Sequence, residues 1–363
     1  MDPGSLLRSL LKLRGEARVI GGMTPKPIQP VAELCKLFID ENAGDPKSYP
    51  AVEESIRYII KTISRMAFNR IYSGWVTSGA SEANLLALYA AREEGYRRVV
   101  YPASAHYSIP KSARLLGMEA VEVEVEDGYR PRLDVIEEVA GRGDVLVATI
   151  GTTETGFIDP VKRLREIALE KGARIHVDAA FTGPIIRYLD PGKVPEMLDD
   201  VVATISIDLH KIPEAPMGVG VLLSSSDRII RRLFNKAPYI PSGEQFGVLG
   251  TRPGCPVVAG AYSLALLEER GVGRVAGELM NASRRIVEEL EAHGYHTPHR
   301  IETPILCLLH DDIHRVTGRI NSMGYRVYRC LYGKGIRVAV MPHIARRPEE
   351  VIDVLSRASR GVR

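Results

Sequence analysis

Asp178 closes the short apolar segment Arg174-Ile175-His176-Val177-Asp178, and Lys211 follows Ser206-Ile207-Asp208-Leu209-His210. A lysine amine can hold an aldehyde as a Schiff base. A buried carboxylate can keep a pyridine nitrogen protonated, so that the ring withdraws electrons from an attached carbon. Those are the two chemical needs of pyridoxal 5′-phosphate. Each residue alone has an ordinary reading, as a surface lysine or an acidic turn, so the assignment rests on what accompanies them.

Thr77-Ser78-Gly79-Ala80-Ser81 runs into a helix, where free N–H groups and the helix dipole suit a phosphate. His106 follows an apolar segment, and its flat ring could stack on a pyridine. Gly151-Thr152-Thr153-Glu154-Thr155-Gly156 offers hydroxyls to a ring oxygen or a phosphate, and Gly250-Thr251-Arg252-Pro253-Gly254 is another donor-rich turn. His210 is a further phosphate or ring contact. Helix caps and polar turns explain each of these singly. Their shared position at segment ends, in one order along the chain, favours a single site.

The elements that must carry these groups alternate. Helical periodicity predicts helices over 28–41, 50–69, 80–95, 107–116, 132–140, 160–171, 254–270 and 273–293. Short β-branched runs predict strands over 98–101, 119–125, 144–150, 173–178, 201–207 and 217–223. The segment 17–30, rich in Gly and Pro, reads as irregular. The pattern predicts an α/β fold with a mostly parallel central sheet, helices on both faces, and a small C-terminal α+β domain. The expected division is an N-terminal helical segment over 1–70, a large cofactor domain over 71–295, and the small domain over 296–363. Open sheets of this kind bind ligands at the C-terminal ends of their strands.

Composition narrows the class. The chain has 363 residues, a formal net charge of +3, 45% hydrophobic and 26% charged residues, as ordinary globular proteins do. Its basic residues are dispersed, which argues against nucleic acid. No apolar run is long enough to span a bilayer. Cys35, Cys255, Cys307 and Cys330 are isolated, which argues against a metal site and a disulfide framework and fits a reducing cytoplasm.

The chain resembles the fold-type I pyridoxal-phosphate enzymes, and within them the group II amino-acid decarboxylases. It is most similar to their archaeal L-tyrosine/L-aspartate branch. The likeness is carried by Gly22-Met23-Thr24-Pro25, Ser78-Gly79-Ala80-Ser81-Glu82-Ala83-Asn84, Ala105-His106-Tyr107-Ser108, Gly151-Thr152-Thr153-Glu154-Thr155-Gly156, Val177-Asp178-Ala179-Ala180-Phe181, Asp208-Leu209-His210-Lys211, Gly250-Thr251-Arg252-Pro253-Gly254 and Met341-Pro342-His343. The resemblance implies that Lys211 holds the cofactor, Asp178 pairs with its ring nitrogen, His106 stacks on one face and Ala180 packs the other. The Ala80 N–H, Ser81 and His210 would hold the phosphate, Gly79 and Asp208 would be further cofactor contacts, and Thr153 would lie near the ring 3-oxygen. Gly250 and Thr251 would reach the phosphate of a neighbouring subunit in a homodimer. Gly79-Ala80-Ser81 departs from the family's usual phosphate turn but keeps a hydroxyl, and Ile212-Pro213-Glu214 stands where many relatives have small residues.

The implied reaction is loss of the α-carboxyl group from a small amino acid. Tyr239, in a Gly/Pro-bounded loop over 237–247, is the candidate proton donor. L-Aspartate, giving β-alanine for coenzyme A, is the preferred substrate, with L-tyrosine as the alternative. An aspartate side chain calls for a cation, with Arg337 first, then Lys26 and Arg252; Thr24 and His343 complete the substrate group. Aminotransfer on the same fold, or a silent cofactor-binding subunit, would use many of the same residues.

Overall fold

The computed structural model describes residues 2–14 and 18–361, so Met1, 15–17 and 362–363 of the expected segments lie outside the described residues. In chain order the elements begin with α1 (Pro3–Leu13), β1 (Arg18–Ile20), α2 (Gln29–Leu37), α3 (Pro50–Phe68), β2 (Ser73–Thr77) and α4 (Ala80–Glu93). Then come β3 (Arg98–Pro102), α5 (Ser108–Leu115), β4 (Glu119–Val123), the ribbon β5 (Val125–Glu126) and β6 (Arg130–Pro131), and α6 (Leu133–Val139). The centre comprises β7 (Asp144–Thr149), α7 (Val161–Lys171), β8 (Arg174–Asp178), β9 (Val202–Asp208), β10 (Gly220–Ser224) and α8 (Asp227–Arg231). A hairpin, β11 (Phe234–Lys236) with β12 (Glu244–Phe246), precedes α9 (Cys255–Arg270) and α10 (Val272–Glu291). The chain ends with β13 (Ile305–Leu309), α11 (Ile313–Ser322), β14 (Tyr325–Cys330), β15 (Gly335–Ala339), α12 (Pro342–Ala345) and α13 (Pro348–Ser359).

Seven strands form the main sheet in the order β2-β10-β9-β8-β7-β3-β4. All its pairings are parallel except those of β10, which runs against both β2 and β9. Every residue of β7 and β9 is buried, because helices cover both faces. The C-terminal ends of β2, β7, β8 and β9 therefore meet along one edge, and Thr77, Thr149, Asp178 and Asp208 are their last residues.

Among the elements that escaped the sequence reading are strands β2 and β1. Strand β2 contains Ser73 and Gly74, which carry no strand signal; a Cβ on Gly74 would sit 2.7 Å from the Leu222 carbonyl oxygen, so the glycine is what lets β10 approach. Strand β1 lies inside the segment expected to be irregular. It pairs in parallel with β14 in a second, four-stranded sheet ordered β1-β14-β15-β13. Three residues are too few to show a period, and the pairing is made by residues far away in sequence.

The cysteine expectation is overturned. Cys35 is bonded to Cys255, tying α2 to the start of α9, and Cys307 is bonded to Cys330. The second bridge crosses over β15 at Gly335, where a Cβ would fall 2.8 Å from Cys330 Sγ. Sequence separations of 220 and 23 give no local spacing pattern, so only the packed fold brings these partners together.

Candidate active site

A cavity of about 250 Å³ opens at the C-terminal edge of the main sheet. Lys211, Asp178, His106, His210, Asp208, Gly79, Ala80, Ser81, Thr153 and Ala180 all line it.

Asp208 organises one wall. Its Oδ2 lies 3.0 Å from Lys211 Nζ and 3.6 Å from His210 Nε2, while Oδ1 accepts the Ala80 N–H at 2.6 Å. His210 is held from its other side, with Nδ1 3.0 Å from the Val219 carbonyl oxygen. The turn into α4 fits this closely because Gly79 has φ +148° and a Cβ there would stand 3.2 Å from Asp208 Oδ1. A side chain on Gly220 would strike Gly79 Cα at 2.7 Å. The Ala80 N–H, expected to face an anion, is thus engaged by Asp208. The Ser81 N–H and hydroxyl make no hydrogen bond among the described residues and remain available at the helix N-terminus.

The turn is braced from behind. Glu82 Oε2 accepts the Ser78 N–H at 2.6 Å, and Glu82 Oε1 pairs with Arg252 Nη2 at 2.7 Å. Arg252 Nη1 also donates to the Val76 carbonyl at 2.6 Å. Arg252 is buried and its charge is already met by Glu82, so it serves as a strut for the turn; burial also lowers its pKa against the pull of Glu82.

Asp178 forms another wall. Its oxygens accept from Asn84 Nδ2 at 2.8 Å and from the Ala180 N–H at 3.0 Å, both neutral donors. A buried carboxylate with neutral partners suits a cationic group in the cavity. His106 Nδ1 lies 2.8 Å from Ser108 Oγ, and burial lowers the pKa of this imidazole although Asp178 opposes the shift. Thr152 and Thr155 bond each other at 2.9 Å inside their turn, leaving Thr153 as the threonine of that turn on the cavity. The set fits pyridoxal phosphate: an amine, a buried carboxylate awaiting a cation, and free donors at the N-terminus of a 14-residue helix.

Other expected residues stand apart from this cavity. Tyr239 is 87% exposed at the turn between β11 and β12 and does not line the cavity. Gly250 and Thr251 are exposed and do not line it. Thr24, Lys26 and His343 line a separate basic cavity with Arg14, Arg18 and Arg347. Arg337 is buried on β15, its guanidinium 4.3 Å from the centre of the Tyr328 ring, and burial lowers its pKa. The sequence reading gave no role to Asn84, His176, Ser108, Glu82 or Glu214. Glu214, three residues beyond Lys211 with φ +55°, accepts the His343 N–H at 3.0 Å and lies 2.6 Å from His343 Nδ1 and 3.0 Å from Arg346 Nη2. It binds the lysine loop to the C-terminal helices, and only its unusual place after Ile212-Pro213 distinguished it in the sequence.

The fold and cavity define a fold-type I enzyme that uses pyridoxal phosphate. A solved glutamate decarboxylase from Lactobacillus brevis superposes with a TM-score of 0.85 at 18% identity, over 99% of this chain and 92% of that one. Residues 31–240 match the family described as "Pyridoxal-dependent decarboxylase conserved domain". The probable L-tyrosine/L-aspartate decarboxylase of Methanopyrus kandleri is 30% identical over 91% of this chain and 92% of its own. The probable L-aspartate decarboxylase of Archaeoglobus fulgidus is 29% identical over 93% and 92%. The chain belongs to the pyridoxal-dependent decarboxylase family, in the group II branch that these archaeal proteins represent, and is a carboxy-lyase acting on amino acids with pyridoxal phosphate as cofactor.

Proposed function

We propose that the protein converts L-aspartate to β-alanine and carbon dioxide, a route to a coenzyme A precursor. The observation that carries the substrate choice is Arg337. It is 7% exposed, its buried Nε has no hydrogen-bond partner, and its guanidinium makes no ion pair among the described residues. A buried unpaired cation is costly unless an anion joins it, and a side-chain carboxylate matches its fork. Both archaeal relatives carry L-aspartate in their names.

Lys211 is the residue that holds the cofactor's aldehyde carbon, and Asp208, 3.0 Å from its Nζ, orients the amine. Bound pyridoxal phosphate supplies an electron sink for the pair left behind when carbon dioxide departs. Asp178 would balance the charge of the ring nitrogen, and Ser81 with His210 would hold the phosphate. His106 and Ala180 would cover the two faces of the ring and keep water from the reacting bond. Thr153 would lie near the ring 3-oxygen. Thr24, Lys26 and His343 line the separate basic cavity, whose positive charge would raise the local concentration of a dicarboxylate.

The protein works as a homodimer. Tyr239, Gly250 and Thr251 belong to one excursion of the chain that lies off its own cavity. In a dimer with shared sites they complete the partner's cavity, where Tyr239 returns a proton to the α-carbon. Carbon dioxide release from L-aspartate, L-glutamate and L-tyrosine, with Lys211→Ala as control, tests the reading. Release from aspartate that disappears in the control supports it. Release from tyrosine alone retains the reaction and removes the role of Arg337.

A further inference from the structure

Between α4 and the main sheet lies a polar cluster in an otherwise apolar layer. Asn84, Ser108, His176, Asp178, Thr204 and Ser206 are each at most 5% exposed. His176 and Asp178 are two residues apart on β8, as Thr204 and Ser206 are on β9, so each pair shares one face.

Asn84 is the hub, and all four hydrogen-bonding positions of its amide are filled. Nδ2 donates to Asp178 Oδ2 at 2.8 Å and to Ser108 Oγ at 2.9 Å. Oδ1 accepts from Ser206 Oγ at 2.6 Å and meets His176 Nε2 at 2.8 Å. The carboxylate fixes the sense of the whole array, because an anion accepts and cannot face the amide oxygen. His176 therefore carries its proton on Nε2, and its Nδ1 takes the Thr204 hydroxyl hydrogen at 2.9 Å. Ser108 Oγ, already accepting from Asn84, is left with its hydrogen for His106 Nδ1 at 2.8 Å.

We propose that His176 and Asn84 are positioning residues for the reaction: the His176 Nε2–H aligns the Asn84 amide, which holds Asp178 as an oriented anion and turns the Ser108 hydroxyl toward His106. This rests on the reading of Asp178 and His106 as cavity groups and deepens it. Asn84 is itself part of the cavity wall, whereas His176 lies behind it and acts only through Asn84. Burial supports the arrangement by holding the His176 pKa down to about 4, so the ring stays neutral and keeps a single donor.

Two measurements test it. The first is nitrogen-15 spectroscopy of ring-labelled histidines in the cofactor-stripped protein and the holoenzyme, with the His176 signals assigned by their loss in His176→Gln. The expected result is a neutral ring with its proton on Nε2 at pH 6–8. A proton on Nδ1, or a cationic ring, overturns the proposal whatever the enzyme turns over. The second compares two substitutions of similar bulk. His176→Gln retains an N–H donor toward Asn84 and should keep kcat within about threefold, whereas His176→Phe removes it and should lower kcat about tenfold with little change in KM. The visible band of the holoenzyme should change its pH profile in His176→Phe alone. Equal behaviour of the two variants would show that the site needs only volume and would overturn the proposal. Should His176→Phe not fold, Asn84→Asp replaces it, because a carboxylate facing Asp178 forces one of the two to take a proton; an unchanged band there would also overturn it. Absence of carbon dioxide release from the wild type, with the Nε2 proton present, would fault the functional reading and leave the array standing.

Discussion

Arg252 Nη2 lies 2.7 Å from Glu82 Oε1, and both side chains are buried behind the turn that opens α4. The pair joins the turn at Ser78–Ser81 to the segment that carries Gly250 and Thr251. Breaking such a pair leaves one charge stranded in a dry interior. Arg252→Ala should therefore cost about 3–5 kcal/mol by chemical denaturation. Replacing both partners together, as Glu82→Gln with Arg252→Met, should cost clearly less. Both variants should bind pyridoxal phosphate more weakly in a titration, because the side chain at position 82 that accepts the Ser78 N–H is no longer held in place by Arg252. A single variant as stable as wild type would remove the strut.

Arg337 gives the opposite pattern. It makes no ion pair among the described residues, so Arg337→Met removes a buried charge without stranding another, and thermal stability should hold or rise. Turnover of aspartate should fall about 10–100-fold in kcat/KM, the value of one charge-assisted contact. An intact kcat/KM for aspartate would place the side-chain carboxylate elsewhere.

The Tyr239 excursion predicts complementation. Lys211→Ala and Tyr239→Phe should each be inactive as homodimers. Unfolded, mixed and refolded together, they should regain about a quarter of wild-type activity, since half the dimers are hybrid and each hybrid has one intact site. No recovery on mixing would return Tyr239 to its own chain or remove it from the chemistry.

Asp159 sets a pH dependence of stability. It is fully buried beside the turn that carries Thr153, and burial pushes its pKa from 3.8 up to about 7. Below pH 3.8 the carboxyl is protonated whether the chain is folded or not, so nothing is lost there. As pH rises toward about 7 the unfolded chain gives up its proton and the folded one resists, so this contribution to stability disappears. Asp159→Asn can still accept the Thr149 N–H, which Asp159 Oδ2 does at 2.7 Å. The variant should match wild type near pH 4 and exceed it by roughly 4 kcal/mol at pH 8. Parallel stability curves for the two proteins would show that Asp159 does not titrate in this window.

Much of the fold and half of the site were legible in the sequence. The parallel strands announced themselves as β-branched runs such as Val145-Leu146-Val147-Ala148-Thr149, because burial on both faces favours apolar residues at most positions. Lys211, Asp178, His106 and the Gly79 turn were legible because each stands at a strand or helix end where chemistry-bearing residues are placed. Asn84 and His176 were not, since a polar residue inside a helix or strand reads as a face until its partners are known. Tyr239 and Arg337 show the other limit: residue type suggested a task, but position relative to the cavity is set by long-range packing. The cysteine pairs were hidden for the same reason, at separations that leave no local pattern.

Strand β1 and the clasp of Glu214 on His343 and Arg346 have a consequence for the order of synthesis. During synthesis β1 emerges about 300 residues before its partner β14, which is tens of seconds at ordinary elongation rates. The loop bearing Lys211 likewise waits, because Glu214 and His343 are 129 residues apart in the chain. The seven strands of the main sheet end at Ser224, so that sheet can assemble before the lysine loop receives its clasp.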